Sequence, residues 1–159
     1  MAVSLRPAHP GDEALLAELI RAAFAEYRGV LDPPSSAERQ SAERIGQEIA
    51  DGGAWIALIN QQPVGCVLWH KHIGYLYLDR LAVLPSARGH GVGRQLIDRV
   101  EALAKELGYR AVRLSVRLVL QQNIAYYQRL GYQQISSGTH AGYTSPTFGT
   151  FEKRLEYPL

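Results

Sequence analysis

Between Leu81 and Leu107 the chain lays out the parts of an anion site. The run Arg88-Gly89-His90-Gly91-Val92-Gly93-Arg94 places three glycines and two arginines within seven residues. Glycines let a backbone pass close to a ligand with no side chain in the way. Apolar residues then recur at Val92, Leu96, Val100, Leu103 and Leu107, the spacing of an amphipathic helix, and Gly108 supplies its stop. The unpaired N–H groups at a helix start attract an anion, and the helix dipole favours negative charge there. Arg88 and Arg94 add fixed positive charge. Ahead of the glycines, Leu81-Ala82-Val83-Leu84 reads as the end of a strand and Pro85-Ser86-Ala87 as a short connector. Strand, glycine-rich turn and helix together make a phosphate cradle, suited to a pyrophosphate.

Three known patterns compete for this stretch. A Walker A loop ends in Gly-Lys-Ser/Thr, and Gly93-Arg94-Gln95 does not. A Rossmann fingerprint spaces its glycines G-x-G-x-x-G; counted from Gly89, the third falls on Arg94. The third pattern is Arg/Gln-x-x-Gly-x-Gly/Ala, and Arg88 to Gly93 fits it at every position. That run resembles the acetyl-coenzyme A signature of the GNAT N-acetyltransferases. The resemblance implies that Leu81, Ala82, Val83, Arg88, Gly89, His90, Gly91, Val92, Gly93 and Arg94 hold acetyl-CoA, with CoA as product. Without a ligand, the same run would be a tight turn that needs glycine.

A second segment, Asn123-Ile124-Ala125-Tyr126-Tyr127-Gln128-Arg129-Leu130-Gly131-Tyr132, resembles the family's Asn…Phe-Tyr-x-x-Leu-Gly-Phe stretch. The resemblance makes Asn123 a cofactor contact and Tyr127 a proton donor near the thioester sulfur. A phenol's ordinary pKa, near 10, is close to that of a leaving thiol, so it can protonate a thiolate. The competing reading packs both tyrosines in the core, each hydroxyl finding a partner. The implied chemistry is direct attack of an amine on an acyl thioester. A backbone N–H near Ala82 or Val83, by the same resemblance, stabilises the oxyanion. No covalent intermediate is needed. The single Cys66 sits in an apolar run as a small buried residue, and the chain has no G-x-S-x-G elbow.

The attacking amine must lose a proton. Asp79 is the leading candidate base, directly or through water. Alternation places it with Tyr75, Tyr77, Leu81 and Val83 on one strand face, unless a bulge intervenes. Its pKa is expected to be raised unless it is paired, and an ion pair with a nearby arginine is the equal alternative. His70, His72 and His140 are further candidates, each reading first as an ordinary loop or hairpin histidine. Glu26 and Tyr27 are candidate acceptor-side residues, since the resemblance implies that the connector after the first helix recognises the acceptor; His140, in a later connector, is a further acceptor-side candidate.

These residues need a scaffold. Val3 to Arg6 reads as a first strand, and a helix runs from about Gly11 to Tyr27 with Leu15, Leu16, Leu19, Ile20, Ala23 and Phe24 on one face. Asp32-Pro33-Pro34 keeps the next stretch non-helical. Ser35-x-x-Glu38 is a capping-box signal for a second helix, ending near Asp51 and stopped by Gly52-Gly53. Ala54 to Ile59, Val64 to His70 and Tyr75 to Leu84 form a meander of strands, the last apolar on both faces apart from Asp79 and Arg80 and therefore central. After the cradle helix come a strand from Ala111 to Val116 and a helix from Leu120 to Leu130, stopped by Gly131. A strand then opens over Tyr132 to Ile135, a polar connector spans Ser136 to Pro146, and a last strand runs from Thr147 to Leu155. The expectation is a single α/β domain over residues 1–159 with the GNAT fold, a mixed central sheet of about seven strands flanked by four helices.

Composition sets the outer limits. The 159 residues suffice for one domain with a sizeable core. Hydrophobic residues make up 47% and charged residues 20%, an ordinary globular balance. A net charge of +2 gives no bulk attraction to nucleic acid. No apolar run approaches the roughly 20 residues of a membrane span, and the first residues lack a signal-peptide core. The expectation is a soluble cytoplasmic N-acetyltransferase with no metal, no nucleic acid and no membrane partner. Its acceptor would be a small-molecule or peptide amine, and a homodimer stays open. The alternative is a catalytically silent acyl-CoA sensor of the same fold.

Overall fold

The computed structural model describes residues 2–157. Among the described residues there are seven strands and four α-helices, in the order β1 (Val3–Pro7), α1 (Glu13–Phe24), α2 (Ala42–Glu48), β2 (Gly52–Ile59), β3 (Gln62–Lys71), β4 (Leu76–Val83), α3 (Val92–Glu106), β5 (Ala111–Arg117), α4 (Gln121–Arg129), β6 (Gln133–Gly138) and β7 (Phe148–Arg154). The strands form one sheet in the order β1-β2-β3-β4-β5-β7-β6. β1 with β2, β2 with β3, β5 with β7 and β6 with β7 are antiparallel, whereas β4 and β5 run parallel, as the mixed pattern predicts.

The chain divides into two compact units. One holds the residues up to Lys71 together with Leu78–Val100; the other holds His72–Tyr77 and the residues from Glu101 onward. The first has its own core. Leu16, Leu19 and Ile20 of α1, spaced as one helix face, are buried with Ile45 of α2 and with Ile56, Cys66, Leu68 and Ala82 from β2, β3 and β4. Burying a leucine or isoleucine side chain contributes about 1.5–3 kcal/mol. Arg6 holds the start of α1 to β1 through a paired bond to Asp12, at 2.8 and 3.1 Å. That bond and the His9 N–H pull the Asp12 carboxyl down to about 2.

In the second unit one sheet face is covered and the other half open. Val112, Leu114 and Val116 of β5 and Phe151 of β7 are buried, while the alternate residues Arg113, Arg117, Thr150 and Glu152 are partly exposed. Tyr132 is 1% exposed and donates its hydroxyl to Glu101 at 2.9 Å, which settles the cost of burying a phenol.

Three local expectations need correction. The capping box at Ser35 does not start a long helix. Ser35 Oγ accepts from Ala37 N across a single 3₁₀ turn, Ser36–Arg39, and Gln40 is extended; Ser41 then caps the shorter α2 by accepting from Arg44 N. Gly52 and Gly53 open β2 rather than close a helix. A Cβ on Gly52 would lie 1.8 Å from the Trp69 carbonyl oxygen, and one on Gly53 would lie 2.8 Å from the Trp69 ring, so the approach of β3 requires glycine there. Finally, Ser136 to Gly138 belong to β6, because β7 pairs with that whole segment despite its polar composition.

Gly65 marks another close approach. An added Cβ would sit 2.7 Å from the Ala82 carbonyl oxygen and 3.1 Å from Val92 Cγ1. Gly65→Ala is therefore expected to destabilise the fold by roughly 1–3 kcal/mol, as overpacking does. Urea denaturation should show a lower midpoint at an unchanged slope; an unchanged midpoint would mean that β3 yields freely here.

Candidate active site

The glycine-rich run forms the turn that the pattern implies. The strand β4 ends at Val83, a 3₁₀ turn covers Pro85–Ala87, and α3 begins at Val92. Gly89 and Gly91 have φ of +83° and +77°, the left-handed region that side chains rarely adopt. An added Cβ on either would meet nothing within 4 Å, so these glycines face open space. Val92, 2% exposed, anchors the turn in the core, while Arg88, Gly89, His90, Gly91 and Arg94 are exposed and Gly93 half-buried. The exposed backbone at the start of a long helix fits a pyrophosphate.

The two arginines differ. Arg94 is exposed and pairs with Asp98 one turn along α3, at 3.1 Å. Arg88 is a brace. Its guanidinium pairs with Glu26 and donates to the carbonyl oxygens of Ala23, at 3.2 Å, and Val83, at 3.4 Å. It therefore ties the end of α1 and the end of β4 to the turn. Glu26 and Tyr27 lie in the 3₁₀ turn after α1, with the Tyr27 ring 5.9 Å from that of Phe24.

In β4, Leu81 and Val83 are half-buried and Ala82 is buried. Arg80 interrupts the strand with φ +51°, so the expected simple alternation is broken by a kink. Its guanidinium reaches the 3₁₀ turn before α2, donating to Ser36 Oγ, and lies 3.7 Å from Glu48 of α2. Asp79 is paired, but not with an arginine side chain. Its Oδ2 lies 3.2 Å from His70 Nε2, and its Oδ1 accepts from the Arg80 backbone N–H at 2.9 Å. Burial pushes this carboxyl up. The hydrogen bond from His70, the charge of Arg80 and the backbone N–H outweigh that and hold it below the ordinary carboxylate range. The alternative of a raised, unpaired base therefore fails for a physical reason: the strand's own kink turns a donor toward it.

Two more sites belong to the second unit. Asn123 lies in the first turn of α4, and Tyr127 farther along the same helix, both half-buried. The Tyr127 ring meets those of Tyr126 and Tyr132 edge-on, with centroids 5.5 and 5.9 Å apart. Of the two aromatic partners, Tyr132 is the core residue, whereas Tyr126 and Tyr127, the pair the core-packing reading concerns, are half-buried. His140 sits in the β6–β7 connector, where its Nδ1 and its N–H both engage Thr147 Oγ1 and its ring packs on Phe148 at 5.2 Å. Burial, and then the charge of Arg117, lower its pKa. Cys66 is fully buried, and burial pushes its thiol up to about 12, which removes it as a nucleophile. No helix of the described residues is long and apolar enough to cross a membrane.

Sequence reasoning named Asp79 and His70 as separate candidates and allowed for a bulge, but it did not pair them or place the bend at Arg80. Both depend on which residues face each other across β3 and β4, and spacing along the chain carries no signal for that.

The glycine-rich turn opens α3 off β4 of a mixed sheet, the arrangement that the Arg88-to-Gly93 pattern implies. The chain belongs to the GNAT family of acetyltransferases, whose family model matches residues 14–132. It is 25% identical over 130 residues, 78% of each chain, to the uncharacterized N-acetyltransferase YjgM of Escherichia coli. It is 31% identical over 98 residues to an uncharacterized N-acetyltransferase of Chlorobaculum tepidum, covering 61% of this chain and about three-fifths, 59%, of that relative. The PaiA N-acetyltransferase of Thermoplasma acidophilum, solved in complex with coenzyme A, shares the fold at a TM-score of 0.78 and 18% identity over 98% of this chain and 100% of that one.

Proposed function

We propose that this protein is an acetyl-CoA-dependent N-acetyltransferase that moves the acetyl group to a primary amine by direct attack in a ternary complex. The observation that carries the reading is the turn from Arg88 to Arg94, with two left-handed glycines facing open space at the start of α3. Its backbone N–H groups hold the pyrophosphate, and Asn123 adds a contact to the donor. The backbone near Ala82 and Val83 supplies the oxyanion donor, with Leu81 beside it. Loss of one such donor costs roughly 100- to 1,000-fold in other enzymes. Tyr127 protonates the leaving thiolate, and Asp79 belongs to the group that takes the amine's proton. Glu26, Tyr27 and His140 stand on the acceptor side. The acceptor is a small-molecule or peptide amine.

The deciding experiment offers the protein acetyl-CoA and a panel of amines, spanning small amines, amino acids, polyamines, aminoglycosides and peptides, and follows free thiol. Thiol release above background with at least one amine is the expected result. CoA binding with no release across the panel would make the protein a silent acyl-CoA sensor instead.

A further inference from the structure

We propose that Arg80 is a positioning residue that aims the Val83 N–H at the donor's thioester carbonyl, with Ser36 and Glu48 holding Arg80 in place; this rests on the acetyl-CoA-dependent reading above. Along an extended strand, the N–H and C=O of one residue point to the same edge, and those of the next residue to the opposite edge. The Ala82 carbonyl oxygen presses on β3, where a Cβ on Gly65 would lie 2.7 Å from it. The Leu84 N–H donates to the Val64 carbonyl oxygen at 2.8 Å, also toward β3. Ala82 and Leu84 therefore face β3, and Val83 between them faces the other edge. Its carbonyl agrees, since it accepts from Arg88 Nε at 3.4 Å. Of Ala82 and Val83, it is Val83 whose N–H is turned away from β3.

That alternation is set at Arg80, three residues earlier. A left-handed residue inside a strand resets the edge to which the following N–H groups point, and Arg80 holds φ +51°. A residue with a side chain keeps such a backbone only where its surroundings over-determine it. Here the Arg80 N–H donates to Asp79 Oδ1 at 2.9 Å, while the guanidinium donates to Ser36 Oγ and lies 3.7 Å from Glu48. Glu48 is fixed in turn by Gln40, whose Nε2 lies 3.1 Å from both carboxylate oxygens.

This network is poorly arranged for stability. Gln40 is 3% exposed, yet its Oε1 has no hydrogen-bond partner within the protein, and neither has the buried Arg80 Nε. A partly satisfied polar network is worse for folding than apolar groups of the same shape. Strain and unmet polar atoms gathered just ahead of Ala82 and Val83 mark a geometry kept for its effect on that backbone, not for its contribution to the core.

The test reads the donor's carbonyl directly. Acetyl-CoA with an isotope-labelled carbonyl is bound in the absence of amine, and its infrared band is compared with that of the free thioester. A hydrogen bond from Val83 polarises the carbonyl, so the wild-type band should lie below the free position. Arg80→Gly permits the left-handed backbone without holding it there, and the band should shift back toward the free position. Affinity for CoA, measured by calorimetry, should be unchanged. With the most active amine, Arg80→Gly should lower kcat roughly 100-fold, the scale of a 1 Å misplacement, at an unchanged KM for acetyl-CoA. Glu48→Gln should give a smaller shift of the band in the same direction. Thermal melting checks folding, and Ser36→Ala, which removes one tie only, replaces Arg80→Gly if that variant does not fold. A wild-type band at the free position, or a folded Arg80→Gly variant that keeps the lowered band, overturns the positioning role alone. A wild-type protein that binds no CoA overturns the acetyl-CoA-dependent reading and the positioning role together.

Discussion

Tyr127→Phe is expected to lower the rate of acetyl transfer roughly 100-fold or more, the scale of general acid catalysis, while the fold survives. The substitution removes one oxygen from a half-buried ring on α4 and keeps both edge-on contacts, with Tyr126 and Tyr132. The bond from the Tyr132 hydroxyl to Glu101 is untouched. The KM for acetyl-CoA should change little, because the turn proposed to hold the phosphates is intact. The alkaline limb of the pH–rate profile should change as well, since that limb reports the acid. A fully active Tyr127→Phe enzyme would leave the residue with a packing role and pass the thiolate's proton to water or to Tyr126.

Gly91→Val should abolish measurable CoA binding. Two costs add. A β-branched residue at φ +77° is strained, at about 1–3 kcal/mol. The new side chain also projects into the space over the helix start, which is empty within 4 Å of the Cβ position, and there it holds a phosphate away from the N–H groups. Calorimetry with CoA is the measurement, with thermal melting as a control for folding. Gly91→Ala, smaller but equally left-handed, should bind with intermediate affinity. Unchanged affinity in the valine variant would remove the pyrophosphate from this turn. NADP offers a parallel check, since Arg94 stands where a dinucleotide fold wants glycine. A melting-point rise with NADP and none with CoA would contradict the donor assignment.

The turn was legible because its chemistry is local. Positive φ, a helix start and an amphipathic stripe are all written in adjacent residues, so Arg88 to Leu107 reads correctly from spacing alone. The α1 stripe was legible for the same reason. The second helix was not: Ser35 and Glu38 have the capping-box spacing, yet Gln40 is 3% exposed with its side chain on Glu48 and its carbonyl on Arg21. Those distant partners favour an extended Gln40, which moves the helix start to Ser41. Gly52 and Gly53 mislead in the same way. Glycine stops a helix or admits a neighbouring strand, and only the position of Trp69 decides which. At the candidate site, Asp79 could be named from its type and place on an apolar strand. Its pairing with His70, named only as a separate candidate, could not be, because it depends on strand register and on a kink at an arginine.

Arg88 holds its three partners by bonds of unequal sensitivity to salt. Its bonds to Ala23 and Val83 are to carbonyls whose positions α1 and β4 fix, whereas its pair with Glu26 joins two side chains 46% and 41% exposed. At physiological ionic strength the screening length is about 8 Å, and at 1 M salt about 3 Å. Added salt therefore loosens the Glu26 end of the brace first, while the glycine-rich turn keeps its backbone ties. The 3₁₀ turn after α1 is the part of this assembly that ionic strength tunes, and the glycine-rich turn is the part that it leaves in place.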